Sequence, residues 1–92
     1  MLEIQYPNAF QFLTGYFPEA DLEYKSDEDV VTIFIDENAS NIITDTKEEL
    51  QKLTNDETMW QEAANEANRH FQDTQEIETW LKTIFSYFPE NL

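Results

Sequence analysis

The sequence predicts an all-α protein, a compact bundle of about five short helices, and three observations support this prediction. Apolar residues recur at spacings of three and four along most of the chain, as they do on the buried face of a helix. The 92 residues include one Gly and three Pro, too few turn formers for a β-protein with many tight turns. Hydrophobic residues make up 40% of the chain, enough for the core of a single domain over residues 1–92.

The chain begins with one predicted helix followed by an acidic loop. Pro7 suits the first position of a helix, where its missing N–H has no partner to lose. The apolar spacing that follows predicts a helix to about residue 16, stopped by Gly15 or Pro18. Residues 18–25 include three acids and lack periodicity, which predicts an ordered acidic loop.

The next segment can be read in two ways. Ser26 resembles an N-cap, and residues 27–29 are acidic, which the positive end of a helix dipole favours. The following run, residues 30–35, is rich in β-branched residues and has the length of a strand. We expect a helix. An α+β fold with residues 30–35 as a strand is the alternative.

Three more helices are predicted in the second half of the chain. Apolar residues trace one face of a third helix that begins after Ser40 and reaches Leu53. Asn55 is the predicted cap of a fourth helix, whose apolar stripe covers residues 59–71. The last helix, over residues 73–88, has a capping-box-like start and the clearest helical periodicity in the chain.

The charge balance limits the classes of partner. Twenty Asp and Glu face five Lys and Arg, so the formal net charge is −15. Such a chain repels phosphate backbones and anionic lipid surfaces, so we expect no direct nucleic-acid or membrane binding. A positively charged protein is the expected partner, and self-repulsion favours a monomer when free. The absence of Cys, of a signal peptide and of an apolar span predicts a cytoplasmic protein.

No motif points to catalysis, a metal or a cofactor. His70 is the one histidine, and Glu66 four residues earlier does not complete a metal site. Residues 27–29 lack the alternating ligands and the central Gly of a calcium loop. We therefore expect a binding protein and not an enzyme, with no metal and no cofactor.

Carboxylates are most concentrated between residues 19 and 29, with two tyrosines nearby. A helix start alone explains an acid at Asp27. Asp21 and Glu23 have no such explanation, because they lie in the predicted loop, where binding residues often concentrate. Tyr side chains can anchor a contact while partly exposed. The candidate partner-binding residues are Tyr16, Glu19, Asp21, Glu23, Tyr24, Asp27, Glu28, Asp36 and Glu37.

Several segments together resemble a family of small contact-dependent growth inhibition immunity proteins. They are Tyr6–Phe17, Asp21–Tyr24, Ser26–Asp29, the Ile42–Leu53 helix with Glu49-Leu50 inside it, and Glu78–Leu81. The resemblance implies a small helical protein that binds the toxic C-terminal domain of a delivered effector and blocks it. Many such toxins are nucleases with basic grooves.

We therefore expect an immunity protein that blocks a basic toxin domain sterically and electrostatically. The alternative is a nucleic-acid mimic that inhibits a basic DNA-binding protein, and a third hypothesis is an acidic subunit of a larger assembly. A mimic should inhibit several basic proteins, whereas an immunity protein should protect against one.

Overall fold

The computed structural model describes residues 1–91, and these residues fold into helices joined by short connections. No strand forms in this range, so the all-α prediction is confirmed and the strand alternative for residues 30–35 is wrong. The number of α-helices, six within the described range, fits a bundle of about five. The elements are α1 (Leu2–Gln5), α2 (Pro7–Leu22), α3 (Asp27–Glu37), α4 (Ser40–Leu53), a 3₁₀ turn (Glu57–Met59), α5 (Trp60–Glu66) and α6 (Thr74–Ser86).

Helix α2 passes through both residues that were expected to stop it. It runs from Pro7 to Leu22, so the predicted loop over residues 18–25 is wrong for its first five residues. Pro18 removes one backbone hydrogen bond, which disfavours a helix interior. The helix nevertheless continues past Pro18, and Ala20 on the far side of the proline is buried in the core.

The N-terminus of α2 has no local side-chain cap and is capped from α4 instead. After Pro7, which lacks an N–H, the first two free donors are the backbone N–H groups of Asn8 and Ala9. Both donate to Oε1 of Glu49, at 2.8 and 3.0 Å. The Asn8 side chain donates to the other carboxylate oxygen at 2.6 Å. One acidic residue on α4 therefore fixes the position of the longest helix.

Helix α3 begins as the sequence predicts. The Ser26 hydroxyl accepts from the N–H of Asp29 at 3.1 Å, and the Asp29 carboxylate accepts from the N–H of Ser26 at 3.3 Å. This reciprocal pair is a capping box. Three residues of the β-branched run, Val30, Val31 and Phe34, are buried in the core. Capping and burial therefore override the strand propensity of the segment.

The connection between α4 and α5 differs from the prediction. Asn55 is not an N-cap. It lies in a turn, and its side chain donates to the carbonyl of Gln51 on the preceding helix. The 3₁₀ turn intervenes before α5. Helix α5 ends at Glu66 and does not reach Phe71, because Asn68 has a φ of 57°, which terminates a helix.

Helix α6 has the predicted start and a slightly earlier end. Asp73 is the N-cap, and its carboxylate accepts from the N–H of Glu76 at 2.9 Å. The Glu76 carboxylate accepts from the N–H of Gln72, one residue before the position of a standard capping box. Phe88 lies beyond the last helical residue, yet it is buried and closes one end of the core.

The core is organised around Phe12 on α2. Its ring centroid lies 4.6 Å from that of Phe34, 5.3 Å from that of Phe17 and 5.7 Å from that of Phe88. These tilted and edge-on arrangements are the ones that aromatic quadrupoles favour. Because α2 packs against α1, α3, α4 and α5, its position decides where the polar residues on its outer face lie.

We expect Glu49→Gln to destabilise the fold by about 1–2 kcal/mol, because a neutral amide caps the positive end of α2 less well than a carboxylate. Urea denaturation of the variant measures this change. Glu48→Gln is the matched control, since it removes the same charge from an exposed neighbour on α4 and should change stability by less than about 0.5 kcal/mol. Equal stability of the two variants would contradict the capping role of Glu49.

Candidate functional site

An open cleft between α2 and α3 brings together four of the predicted partner-binding residues. Tyr16, Glu19 and Glu23 recur at spacings of three and four along α2 and its C-terminal cap, so they share one face. Glu37 lies at the C-terminal end of α3, on the opposite wall. The cleft has a volume of about 400 Å³, and Lys25 is the one basic residue among those that line it.

Tyr16 links the two walls of the cleft. Its hydroxyl donates to the Glu37 carboxylate at 2.9 Å and accepts from the Asn38 side-chain amide at 3.1 Å. Asn38 in turn donates to the carbonyl of Phe34 on α3. Burial raises the pKa of the Tyr16 hydroxyl, and the Glu37 carboxylate raises it further, while the Asn38 contact opposes this rise. The tyrosine and one carboxylate of the cleft are therefore held in place.

Asp21 and Asp27 have a different surrounding, which corrects the expectation that Asp21 lies in a loop. Asp21 lies in the last turn of α2, and Asp27 is the first residue of α3. Both carboxylates accept hydrogen bonds from Arg69, with closest distances of 2.6 Å for Asp21 and 2.8 Å for Asp27. Asp21 binds two guanidinium nitrogens, Nε and Nη2, in a bidentate arrangement.

Arg69 also covers part of the aromatic core. Its guanidinium carbon lies 5.3 Å from the ring centroid of Phe17 and 5.9 Å from that of Trp80. The two rings pack edge-on with their centroids 5.6 Å apart. The two carboxylates raise the pKa of Arg69, so its charge is permanent. This contact joins α2, α3 and the connection that precedes α6.

The other predicted residues are exposed. Tyr24 follows the C-terminal cap of α2 with 96% of its surface accessible. Glu28 and Asp36 lie eight residues apart on α3, so they share a face of that helix. Neither side chain makes an ion pair or a side-chain hydrogen bond within residues 1–91. The predicted partner-binding residues therefore fall into three groups: four line the cleft, two bind Arg69, and three are exposed elsewhere.

Arg69 is the residue that sequence reasoning missed. It is the one arginine in a chain with 20 acids, and that imbalance is a signal that it has carboxylate partners. Which partners it takes depends on the tertiary structure, since Asp21 is 48 residues away in the chain.

A second cleft, of about 530 Å³, lies beside the N-terminal half of α6. The rings of Phe71 and Trp80 lie in its wall with centroids 5.2 Å apart. Its two acids, Asp73 and Glu76, accept hydrogen bonds from backbone N–H groups at the start of α6. These carboxylates therefore stabilise a helix terminus. In this respect they differ from the carboxylates of the cleft between α2 and α3, which cap no helix.

Neither a metal centre nor a membrane span is present in the part of the chain that the structure describes. No group of three or more potential ligands converges there, and His70 is exposed beyond the end of α5. Among the described helices, none is long and apolar enough to cross a membrane.

Arg69→Gln should destabilise the fold by about 1–3 kcal/mol, because it leaves two carboxylates without a cation. Asp21 is partly exposed to water, which keeps the loss below that of a fully buried pair. Thermal and urea unfolding measure the change. Lys82→Gln, which breaks an exposed pair with Glu78, is the control and should cost about 0.3–0.5 kcal/mol. A loss no larger than that of the control would contradict the role of Arg69.

The hydrogen bonds of Tyr16 should make their contribution to stability depend on pH. Because the folded-state pKa lies above the ordinary value of 10.0, the contribution is complete below pH 10 and is lost as the pH rises through the folded-state pKa. Tyr16→Phe should therefore lower the free energy of unfolding by about 1 kcal/mol at neutral pH. The difference from the wild type should shrink above pH 10. A difference that stays constant across this range would refute the interpretation.

Comparisons of the chain with protein-family models, with curated proteins and with solved structures found no match. The resemblance to immunity proteins therefore depends on the sequence segments quoted above.

Proposed function

We propose that this protein binds a basic partner protein through the cleft between α2 and α3 and blocks it. The partner class is the toxic C-terminal domain of a contact-dependent growth inhibition effector, and the protein acts as the immunity protein of the producing cell. The observation that carries the proposal is the convergence of Glu19, Glu23 and Glu37 on one cleft, with Lys25 as the basic residue in its lining. The sequence resemblance supports the toxin as the partner.

The long-range part of the mechanism is electrostatic steering. A net charge of −15 attracts a basic domain within about one Debye length, a distance that grows as the ionic strength falls, and this attraction accelerates encounter. The same charge repels nucleic acid, so the protein does not compete with the toxin for substrate. If the toxin is a nuclease, the carboxylates take the positions at its Lys and Arg residues that substrate phosphates would occupy.

The short-range part of the mechanism depends on how far hydrogen bonds fix the side chains of the cleft before the partner binds. Glu37 is fixed by the Tyr16 hydroxyl, and Tyr16 is fixed by Asn38. Glu19 is exposed on α2 and free to meet a partner cation, whereas Glu23 lies 3.6 Å from Lys25 in an exposed pair. Exposed pairs of this kind contribute little, so a partner Lys or Arg can replace Lys25 at small cost. A partly preorganised cleft lowers the entropy lost on binding.

Calorimetric titration tests the proposal directly. The probe is the C-terminal domain of any contact-dependent growth inhibition effector encoded beside this gene, measured at about 50 and 200 mM salt. We expect nanomolar binding that weakens as the salt concentration rises. No binding at either concentration would remove the immunity function. Equal binding of several unrelated basic DNA-binding proteins would favour the nucleic-acid mimic instead.

The same titration with the double variant Glu19→Lys and Glu23→Lys tests the cleft. We expect association to slow and the Kd to rise by at least about tenfold. The double variant Asp45→Lys and Glu48→Lys is the matched control, because it makes the same change in net charge at exposed positions on α4. Equal effects of the two variants would show that the total charge matters and the cleft does not. Asp21 is left unchanged because it binds Arg69.

A further inference from the structure

We propose that the turn at the junction of α2 and α3, from Leu22 (the last residue of α2) to Ser26 (the N-cap of α3), is the apolar anchor that holds the basic partner. Leu22 and Tyr24 insert into the partner, beside the carboxylates of the cleft. The inference rests on the proposed function and adds to it the residues that supply buried contact. All five residues of the turn are exposed to solvent.

The two large apolar side chains of the turn are almost entirely exposed to solvent and are not part of the core. Leu22 has 82% of its surface accessible and Tyr24 has 96%. Other large side chains on α2, such as Phe12, Leu13 and Phe17, are completely buried. A single exposed Leu is unremarkable on a protein surface, but here it lies two residues from an exposed Tyr, a residue type that is enriched at the centres of protein interfaces.

The backbone at Tyr24 gives an independent reason. The Lys25 N–H donates to the carbonyl of Ala20, and the Tyr24 N–H donates to that of Asp21. This pattern is a Schellman motif, which places Tyr24 in the left-handed conformation with a φ of 59°. Glycine is the usual residue there, because a Cβ is strained in that conformation. A fully exposed tyrosine at this position disfavours the fold and makes no compensating contact.

A second Schellman motif in the same chain allows a comparison. At the end of α5, Arg69 N–H donates to the carbonyl of Ala64, and Asn68 has a φ of 57°. Asn is the residue that tolerates this conformation best after Gly. The chain therefore uses a well-tolerated residue in one motif and a bulky aromatic in the other. The difference indicates that Tyr24 has a role outside the folded chain.

Arg69 restrains the backbone at both ends of the turn. It binds Asp21 immediately before the turn and Asp27 immediately after it, so both ends are attached to the same guanidinium. A turn held in this way loses little entropy when a partner packs on it. Aromatic anchors on rigid supports are the side chains that contribute most to protein–protein affinity.

Charge decides which partner the turn fits. Glu23 lies between the two apolar residues in the chain, and Glu19 is one helical turn before it on α2. An apolar anchor flanked by carboxylates complements an apolar pocket rimmed by Lys and Arg. We therefore assign a basic protein domain with such a pocket as the partner of this turn. A second copy of this chain is disfavoured because it is equally acidic.

Tyr24→Gly separates the two roles of this residue, since it removes the anchor and relieves the backbone strain. The variant is compared with the wild type by urea unfolding and by titration with the C-terminal domain used above. We expect a higher unfolding midpoint together with a Kd raised by at least about tenfold. Asn68→Gly is the matched control in the other Schellman motif and should leave the Kd unchanged.

The outcomes distinguish this inference from the function on which it rests. If the wild type binds and Tyr24→Gly binds equally well, the anchor is refuted and the immunity function stands. A lower unfolding midpoint for Tyr24→Gly would also refute it, because the side chain would then stabilise the fold. If the wild type does not bind the toxin domain, the proposed function fails, and the anchor fails with it.

Discussion

The contact of Arg69 with two carboxylates and two aromatic rings is the interaction on which the arrangement of the helices depends. The end of α2 and the start of α3 bring the carboxylates of Asp21 and Asp27 to the same guanidinium, in a chain with a net charge of −15. Without a cation, the two carboxylates would repel each other. Arg69 lies between them and also covers Phe17 and Trp80 in the core. Its bidentate geometry allows one side chain to join three segments of the chain, which a lysine could not do.

The abundance of acids has two distinct uses. Several carboxylates accept hydrogen bonds from helix N-termini, including Glu49 at α2, Asp29 at α3 and Asp73 at α6. Glu62 does the same for the N–H of Leu2 at α1. These residues stabilise the fold because they neutralise the positive ends of helix dipoles. The carboxylates of the cleft between α2 and α3 are not at helix N-termini, and we propose that they bind the partner.

Pro18 and Tyr24 each disfavour the backbone conformation in which they lie, and different contacts account for each of them. Pro18 removes one hydrogen bond of α2, yet the helix continues past it to Leu22 and buries Ala20 in the core. Tyr24 occupies a left-handed position while exposed, and no burial compensates for it within the described chain. The first exception is explained by the core, whereas the second is explained by a contact with another molecule, as we propose.

The sequence by itself determined the all-α class, the caps at Ser26 and Asp73, and the apolar faces of α4 and α6, because these depend on residues within one or two helical turns. It also identified the concentration of acids between residues 19 and 29, with Tyr16 and Tyr24 nearby. Only the tertiary structure decided that α2 continues to Leu22, that Glu49 caps it, and that Arg69 binds Asp21 and Asp27. Each of these contacts joins residues far apart in the chain, or depends on burial that local spacing does not reveal. The acids that cap helices and those that remain free could be separated only after the helices had been placed against one another.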